Sequence, residues 1–170
     1  SIVAMVASTW ITKRFCKIKL FRWSQIAELF ISVAMYFAVQ PGDILLAFIL
    51  YILLSFVVDL HAPVFWSAIA EAVDYGEIKD GVRASGLSFG GISFCQKAGA
   101  GLAGLVGGLL LEFYQYQPNI EQSAYTLNGL ALMLTVIPGV FHALLGFILF
   151  KYKISDDYYT DMVNAQRLPS

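Results

Sequence analysis

The chain has 170 residues, of which 58% are hydrophobic and 14% charged, and its formal net charge is −1. Average soluble domains carry about 25% charged residues, so this composition favours a membrane protein. The near-neutral balance offers no basic surface for nucleic acid. The two cysteines, Cys16 and Cys95, lack the spacing of a metal site, and the basic segment beside Cys16 argues against a disulfide.

Apolar segments separated by short polar ones predict an all-α integral membrane fold. Four complete spans are expected, at about 23–39, 44–70, 84–111 and 127–150. Residues 1–12 are too short to cross a bilayer and are interpreted as part of a fifth span, so the chain is expected to be a fragment. Pro138 is expected to kink the last span. The tail over 151–170 is charged and shows no apolar periodicity.

Lys and Arg are confined to alternate loops, apart from one residue. Five lie in residues 13–22, two in 79–83 and three in the tail, whereas the loops at 40–43 and 112–125 contain none. Cytoplasmic loops carry this excess of basic residues in membrane proteins. The basic loops and the C-terminus are therefore expected to be cytoplasmic.

The remaining basic residue, Lys97, lies inside the span at 84–111. A charge at the bilayer centre costs at least ~2.5 kcal/mol, so Lys97 is expected to face protein or water. A role in a transport pathway and a structural ion pair are both open. Helical spacing places Lys97 on a stripe of small and polar residues, which are Gly86, Gly90, Ser93, Gly101, Gly104 and Gly108. Gly104 and Gly108 are interpreted as helix-packing positions.

Asp59 is a candidate partner for Lys97. It lies on the preceding, antiparallel span, and both residues are expected about 20 Å from the cytoplasmic helix ends. An ion pair or a shared water-filled cavity is therefore possible, with Asp59 either a counter-ion or part of the pathway. His61, two positions further on, and His142 are interpreted as packing residues rather than proton carriers.

An acidic turn is expected just before the span at 84–111. Its carboxylates follow each other at intervals of three, and two basic residues come next. Such a set can form ion pairs that open and close as a cytoplasmic gate. An ordinary solvated rim is the alternative reading of the same residues, which are Glu71, Asp74, Glu77, Lys79 and Arg83.

Two motifs in this region carry a family resemblance. The sequence PVFWSAIAEAVDYGEIKDGVR (63–83), followed by LSFGGISFCQKAG (87–99), resembles the glycoside–pentoside–hexuronide:cation symporters of the major facilitator superfamily. The sequence YQPNIEQS (116–123) is similar to the external loop that follows in that family. The resemblance covers essentially the whole chain.

The resemblance implies the C-terminal half of a twelve-helix sugar carrier in a bacterial inner membrane. Its partners would be a sugar or glycoside, a monovalent cation (Na⁺ or H⁺), the lipid bilayer and the N-terminal six-helix half of the same carrier. No other cofactor is implied, and the cation site would lie in the N-terminal half. The substrate-binding positions of the family fall on Lys97, Ile92, Ser93 and Gln96, with Asp59 added from the charge argument above.

One departure concerns the choice of sugar. A family position that holds a Trp near the sugar corresponds to Ala62, and Trp66 lies one turn away, which argues against galactoside stacking. No catalytic motif such as a P-loop, HExxH or GxSxG is present, so an enzyme is not expected. A non-transporting membrane sensor or scaffold built on a carrier fold is the alternative function.

Overall fold

The protein is described by a computed structural model over residues 2–40 and 42–167. Within these ranges there is no β-strand, which confirms the predicted all-α class. Pro41, in the predicted 40–43 loop, and the last three residues of the tail lie outside the described residues. The described residues form seven α-helices, which are α1 Ile2–Thr12, α2 Lys17–Ala38, α3 Ile44–Asp80, α4 Ser85–Phe113, α5 Ala124–Leu134, α6 Val136–Leu149 and α7 Asp156–Arg167.

Three stretches are long and apolar enough to cross a membrane. They are Ile44–Asp80, Ser85–Phe113 and Ala124–Leu149, the last of which combines α5 and α6. Helix α2 has 22 residues but is not among them. It is less apolar because it carries Lys17, Lys19, Arg22 and Glu28. That α2 spans the membrane, and that α1 belongs to a span, stay predictions.

Helix α3 is longer than the sequence predicted. It continues through the expected acidic turn and ends at Asp80, so the prediction of a turn at this position was wrong. The helix stops where Gly81 adopts a left-handed conformation (φ 73°) and its N–H bonds to the carbonyl of Glu77. Glycine takes this conformation without steric cost, which makes it a common helix terminator.

The last predicted span is broken rather than gently kinked. The break is at Thr135, whose φ of −124° and ψ of −81° are not helical, three residues before Pro138. Proline has no N–H to offer the carbonyl four residues earlier, and its ring crowds that carbonyl. The disruption therefore falls one turn before the proline itself.

The charged tail, for which the sequence analysis predicted no helix, is helical over Asp156–Arg167. Ser155 caps α7 by accepting a hydrogen bond of 3.2 Å from the backbone N–H of Tyr158. Asp156 and Asp157 occupy the first turn, where negative charge favours a helix N-terminus. Local capping chemistry thus explains a helix that apolar periodicity did not reveal.

Helix α2 lies at the centre of the packed part of the bundle. It packs against α3 and α6, and α1 packs against α3. Phe21, Val64 and Leu149, one from each of α2, α3 and α6, form the buried apolar cluster. In the described structure no residue of α4 is buried. Helix α2 is therefore surrounded by packed helices, whereas α4 leaves much of its surface uncovered by the described residues.

Candidate functional site

The predicted substrate-binding residues of α4 lie on its open surface. Lys97, Ser93 and Gln96 are exposed, whereas Ile92 is half-buried. Ile92 lines an open cavity of about 530 Å³ together with mostly apolar side chains of α2, α3 and α6. Five positions along a helix correspond to about 140° around its axis, so Ile92 and Lys97 point to different sides of α4. By the same spacing Ser93 lies about 40° from Lys97 and Gln96 lies about 40° from Ile92, so Ser93 shares the side of Lys97 and Gln96 lies between the two sides.

Asp59 is half-buried on α3. The proposed pairing of Asp59 with Lys97 stays a prediction.

The glycines of α4 present an unoccupied surface in this chain. A Cβ added at Gly104 or Gly108 would meet no atom within 4 Å outside its own helical turn. At Gly129 on α5 an added Cβ would instead collide with the ring of Tyr114. The predicted helix packing at Gly104 and Gly108 is therefore not made by the described residues and stays a prediction.

The first of the predicted gate residues, Glu71, is buried at 5% exposure. Its carboxylate forms an ion pair with the ammonium of Lys17 at the start of α2 and accepts a hydrogen bond of 3.0 Å from Ser67. Lys17 also lies 3.5 Å from Oδ1 of Asp156, the first residue of α7. One lysine therefore joins three helices.

The other predicted gate residues form a second group around Arg83. Its guanidinium lies 3.0 Å from Oδ1 of Asp74 and 2.5 Å from Oε2 of Glu77. Tyr159 on α7 donates a hydrogen bond of 2.7 Å to Oδ2 of Asp74. Lys79 lies over the ring of Tyr75, with its Nζ 5.8 Å from the ring centroid. The three carboxylates thus belong to two separate clusters.

Ionisable groups at this end of the bundle are perturbed by their neighbours. For Lys17, partial burial lowers the pKa, but the hydrogen bond and charge of Glu71, with Asp156, outweigh it and raise the pKa above its ordinary value. Burial, with the nearby charge of Glu71, raises the pKa of Tyr152 to about 12. The Tyr152 hydroxyl donates to the carbonyl of Ala68 over 3.2 Å. These contacts bring the segments 13–22, 79–83 and the tail to one end of the bundle, as the charge pattern predicted.

A polar cluster that sequence reasoning missed lies inside the bundle. Glu28 and Gln25 on α2 are both fully buried. The carboxylate of Glu28 lies 3.2 Å from Nδ1 of His61 on α3 and 2.5 Å from Nδ1 of His142 on α6. Gln25 Oε1 accepts from Nδ1 of His142 over 2.9 Å, and the His61 ring stacks on Phe21 at 4.8 Å.

A sequence signal for this cluster did exist. Gln25, Glu28 and Ser32 are spaced i, i+3, i+7, which places three polar residues on one face of α2. All three are buried in the structure. The two histidines gave no local pattern because they come from different helices. Among the described residues, no group of three His, Cys, Asp or Glu is placed to hold a metal ion.

These features define the class of the protein. Three membrane-length apolar stretches, with polar groups buried between helices, are those of a multi-pass α-helical membrane protein. Residues 1–156 match the family described as "MFS/sugar transport protein". The chain belongs to this family, which is a family of transporters rather than enzymes.

Relatives with curated names agree with that assignment. The chain is 31% identical over 153 residues to the "Putative glycoside/cation symporter YagG" of Escherichia coli, covering 89% of this chain and 33% of the relative. It is 28% identical to the "Inner membrane symporter YicJ" of the same organism, over 81% of this chain and 30% of the relative. It is 41% identical over 86 residues to the "Isoprimeverose transporter" of Lactiplantibacillus pentosus, over 51% of this chain and 18% of that protein.

The chain spans about a third of the length of the first two relatives. No solved structure matches it. The predicted resemblance to glycoside–pentoside–hexuronide:cation symporters is confirmed by the family match and these names.

Proposed function

We propose that this protein carries a sugar or glycoside together with a monovalent cation, Na⁺ or H⁺, by alternating access. It would do so in a bacterial inner membrane, with its C-terminus on the cytoplasmic side. The family match and the relatives named as symporters support this function. The placement of the basic segments at one end of the bundle supports the orientation.

The open surface of α4 is the observation that carries the proposal. This helix has 29 residues and is about 42 Å long, yet no residue of it is buried in the described structure. Lys97, Ser93 and Gln96 are exposed there. Exposure of a charged side chain to lipid is costly, so this side of α4 needs a cover of protein or water.

We assign that cover to the N-terminal six-helix half of the same carrier. The chain corresponds to about a third of its relatives, which leaves room for such a half. In secondary transporters the substrate lies near the membrane midplane, between repeats that move against each other. The polar side of α4 would then form one wall of the sugar site, and the cation site would lie in the other half.

Within that site the residues have distinct chemical roles. The Lys97 ammonium has three N–H donors and no acceptor, which suits it to sugar hydroxyls or to a carboxylate such as that of Asp59. Ser93 and Gln96 supply both donors and acceptors. Ile92 faces away from Lys97, so its contribution would be indirect.

The two ion-pair clusters at the other end of α3 would form part of a cytoplasmic gate. Glu71 is paired with Lys17, and Asp74 and Glu77 are paired with Arg83. Lys79 lies at the edge of this group. In alternating access these pairs would exchange partners with the N-terminal half as the halves move.

Sugar uptake by cells expressing single variants of the carrier tests the assigned site. We expect Lys97→Leu to abolish accumulation while membrane insertion, measured by immunoblotting of membranes, stays unchanged. Cys95→Ser is the matched control, because Cys95 is exposed on the same helix but two positions, or about 200°, around its axis from Lys97. Normal accumulation by Lys97→Leu would contradict the role of Lys97.

A further inference from the structure

We infer that Glu28, His61 and His142 form a buried proton-binding site that joins α2, α3 and α6. The site is distinct from the open side of α4 and does not depend on the proposed transport function. Its ligand is a single proton, shared between two imidazole rings that face one carboxylate.

The geometry places two imidazole nitrogens beside one carboxylate. The two oxygens of Glu28 face different rings, with Oε1 3.2 Å from Nδ1 of His61 and Oε2 2.5 Å from Nδ1 of His142. Nδ1 of His142 faces two acceptors, Oε2 of Glu28 and Oε1 of Gln25, so it carries a hydrogen. Nδ1 of His61 also lies 3.1 Å from the amide nitrogen of Gln25, so it accepts from Gln25 when it carries no hydrogen and can donate to Glu28 once it is protonated. Gln25 adds an N–H donor 3.3 Å from Oε1 of Glu28. Oε2 of Glu28 has the His142 ring beside it but no aligned hydrogen bond among the described residues, so the buried carboxylate is only partly satisfied.

Hydrogen bonds alone leave the charge of Glu28 uncompensated. With both rings neutral, the cluster holds one negative charge at a position with no exposed surface. A buried charge without a partner of opposite sign is strongly unfavourable. One added proton converts one ring to imidazolium and makes the cluster neutral, whereas a second proton would make it positive. The cluster is therefore suited to take up one proton and to resist a second.

Helices α1 and α5 carry no charged side chain. Helix α1 has no titratable side chain, and α5 has only Tyr125. On α2, Arg22 directs its guanidinium to the carbonyl of Leu149, and Lys17 pairs with Glu71 about 16 Å along the helix.

Two further charges come from α3 and α4. Asp59 on α3 is two positions from His61, which places it on another side of that helix. Lys97 is exposed on α4, and α4 packs against α3 and α5 rather than α2. Among the described residues, His61 and His142 are the ones whose ionisable rings lie within 4 Å of the Glu28 carboxylate.

The bound proton would act on the packing of the bundle. Glu28 lies near the middle of α2, about 16 Å from its first residue and 15 Å from its last. Its two histidine partners come from the two helices that pack most extensively against α2. Loss of the proton leaves a negative charge at this three-helix junction and should loosen α3 and α6 from α2.

Histidine NMR on the unmodified protein is the first test. The protein is labelled with ¹⁵N-histidine and studied in detergent, and the signals of the two rings are assigned with His61→Gln and His142→Gln variants. Between pH 5 and 8 we expect the two rings together to take up one proton, with both rings sensing the same event. Two independent uptakes of a full proton each, or no uptake in this range, would overturn the inference.

Thermal unfolding of matched variants is the second test. We expect the Tm of the unmodified protein to fall as pH rises from 5 to 8, and Glu28→Gln to remove or reverse this fall, because a neutral amide needs no imidazolium. In the labelled Glu28→Gln protein the proton affinity of the rings should drop at least tenfold. Glu71→Gln, a buried carboxylate change outside the cluster, should keep the histidine titration unchanged. Equal pH dependence of Tm in the Glu28→Gln and unmodified proteins would overturn the inference even if the NMR test gave a single proton.

Discussion

The phenolic oxygen of Tyr159 on α7 lies 2.7 Å from Oδ2 of Asp74 on α3, and donates a hydrogen bond to it. The other oxygen of the same carboxylate lies 3.0 Å from the guanidinium of Arg83. One side chain of the predicted gate is therefore bound on one side by the tail and on the other by the loop that leads into α4. The C-terminal tail is part of the structure at this end of the bundle.

The tail contact predicts the behaviour of Tyr159→Phe. Removal of one hydrogen bond to a charged group at a partly buried site should weaken the docking of α7 by about 1 kcal/mol, or roughly fivefold in the docking equilibrium. Amide hydrogen exchange of α7 residues is expected to become faster by that factor. Tyr158→Phe, which keeps the ring contact with Tyr75, is the control. Unchanged exchange in Tyr159→Phe would show that this bond does not hold the tail.

A second prediction concerns the ion pair between Lys17 and Glu71. Lys17→Met would leave a nearly buried carboxylate without its cation and should lower the free energy of unfolding by about 1.5–3 kcal/mol. Glu71→Gln added to Lys17→Met should recover part of this loss, because the amide carries no charge. Denaturant unfolding of both single variants and the double variant measures the coupling. Strictly additive effects would exclude a direct interaction.

The raised pKa of Tyr152 predicts an alkaline effect on stability. An ordinary tyrosine titrates near pH 10, and burial raises the pKa of this one to about 12. A folded-state pKa above the unfolded one gives a stabilising contribution that is complete below about pH 10 and is lost as pH rises towards 12. The Tm of the unmodified protein should therefore fall more steeply over this range than that of Tyr152→Phe. Parallel curves would contradict the burial of this hydroxyl.

Two glycine substitutions distinguish a filled interface from an open one. At Gly129 an added Cβ would collide with the Tyr114 ring, so Gly129→Ala should destabilise the protein by about 1–3 kcal/mol. At Gly104 no described atom is in the way, so Gly104→Ala in this chain should be neutral or slightly stabilising. Thermal unfolding of the two variants tests the contrast. If Gly104→Ala destabilised the chain as much as Gly129→Ala, the surface around Gly104 would be covered already.

The sequence predicted those features that repeat along the chain. Apolar run length located the helices, and the alternation of basic loops predicted which segments meet at one end, as the contacts of Lys17 with Glu71 and Asp156 confirm. Helical spacing within α4 also identified its stripe of small and polar residues. These signals are local, and each can be read from one segment at a time.

The features that the sequence did not predict depend mostly on contacts between segments. A cluster of acidic residues is typical of a loop, so the sequence predicts a turn at Glu71, Asp74 and Glu77. In the structure α3 continues through them and ends at Gly81. The tail has no apolar periodicity to indicate a helix. Its helix α7 begins instead where the Ser155 hydroxyl accepts a hydrogen bond from the backbone N–H of Tyr158. His61 and His142 are far apart in sequence, and only the packing of three helices brings them to Glu28.

Uptake of radiolabelled sugars tests the central claim most directly. Cells expressing the carrier would be given a panel of pentosides, hexuronides and galactosides, with and without an imposed Na⁺ gradient and, separately, a proton gradient. The account predicts gradient-dependent accumulation of at least one sugar, lost in Lys97→Leu and retained in Cys95→Ser. Absence of uptake for every sugar, from a protein shown to be in the membrane, would contradict transport and favour a sensor or scaffold built on a carrier fold.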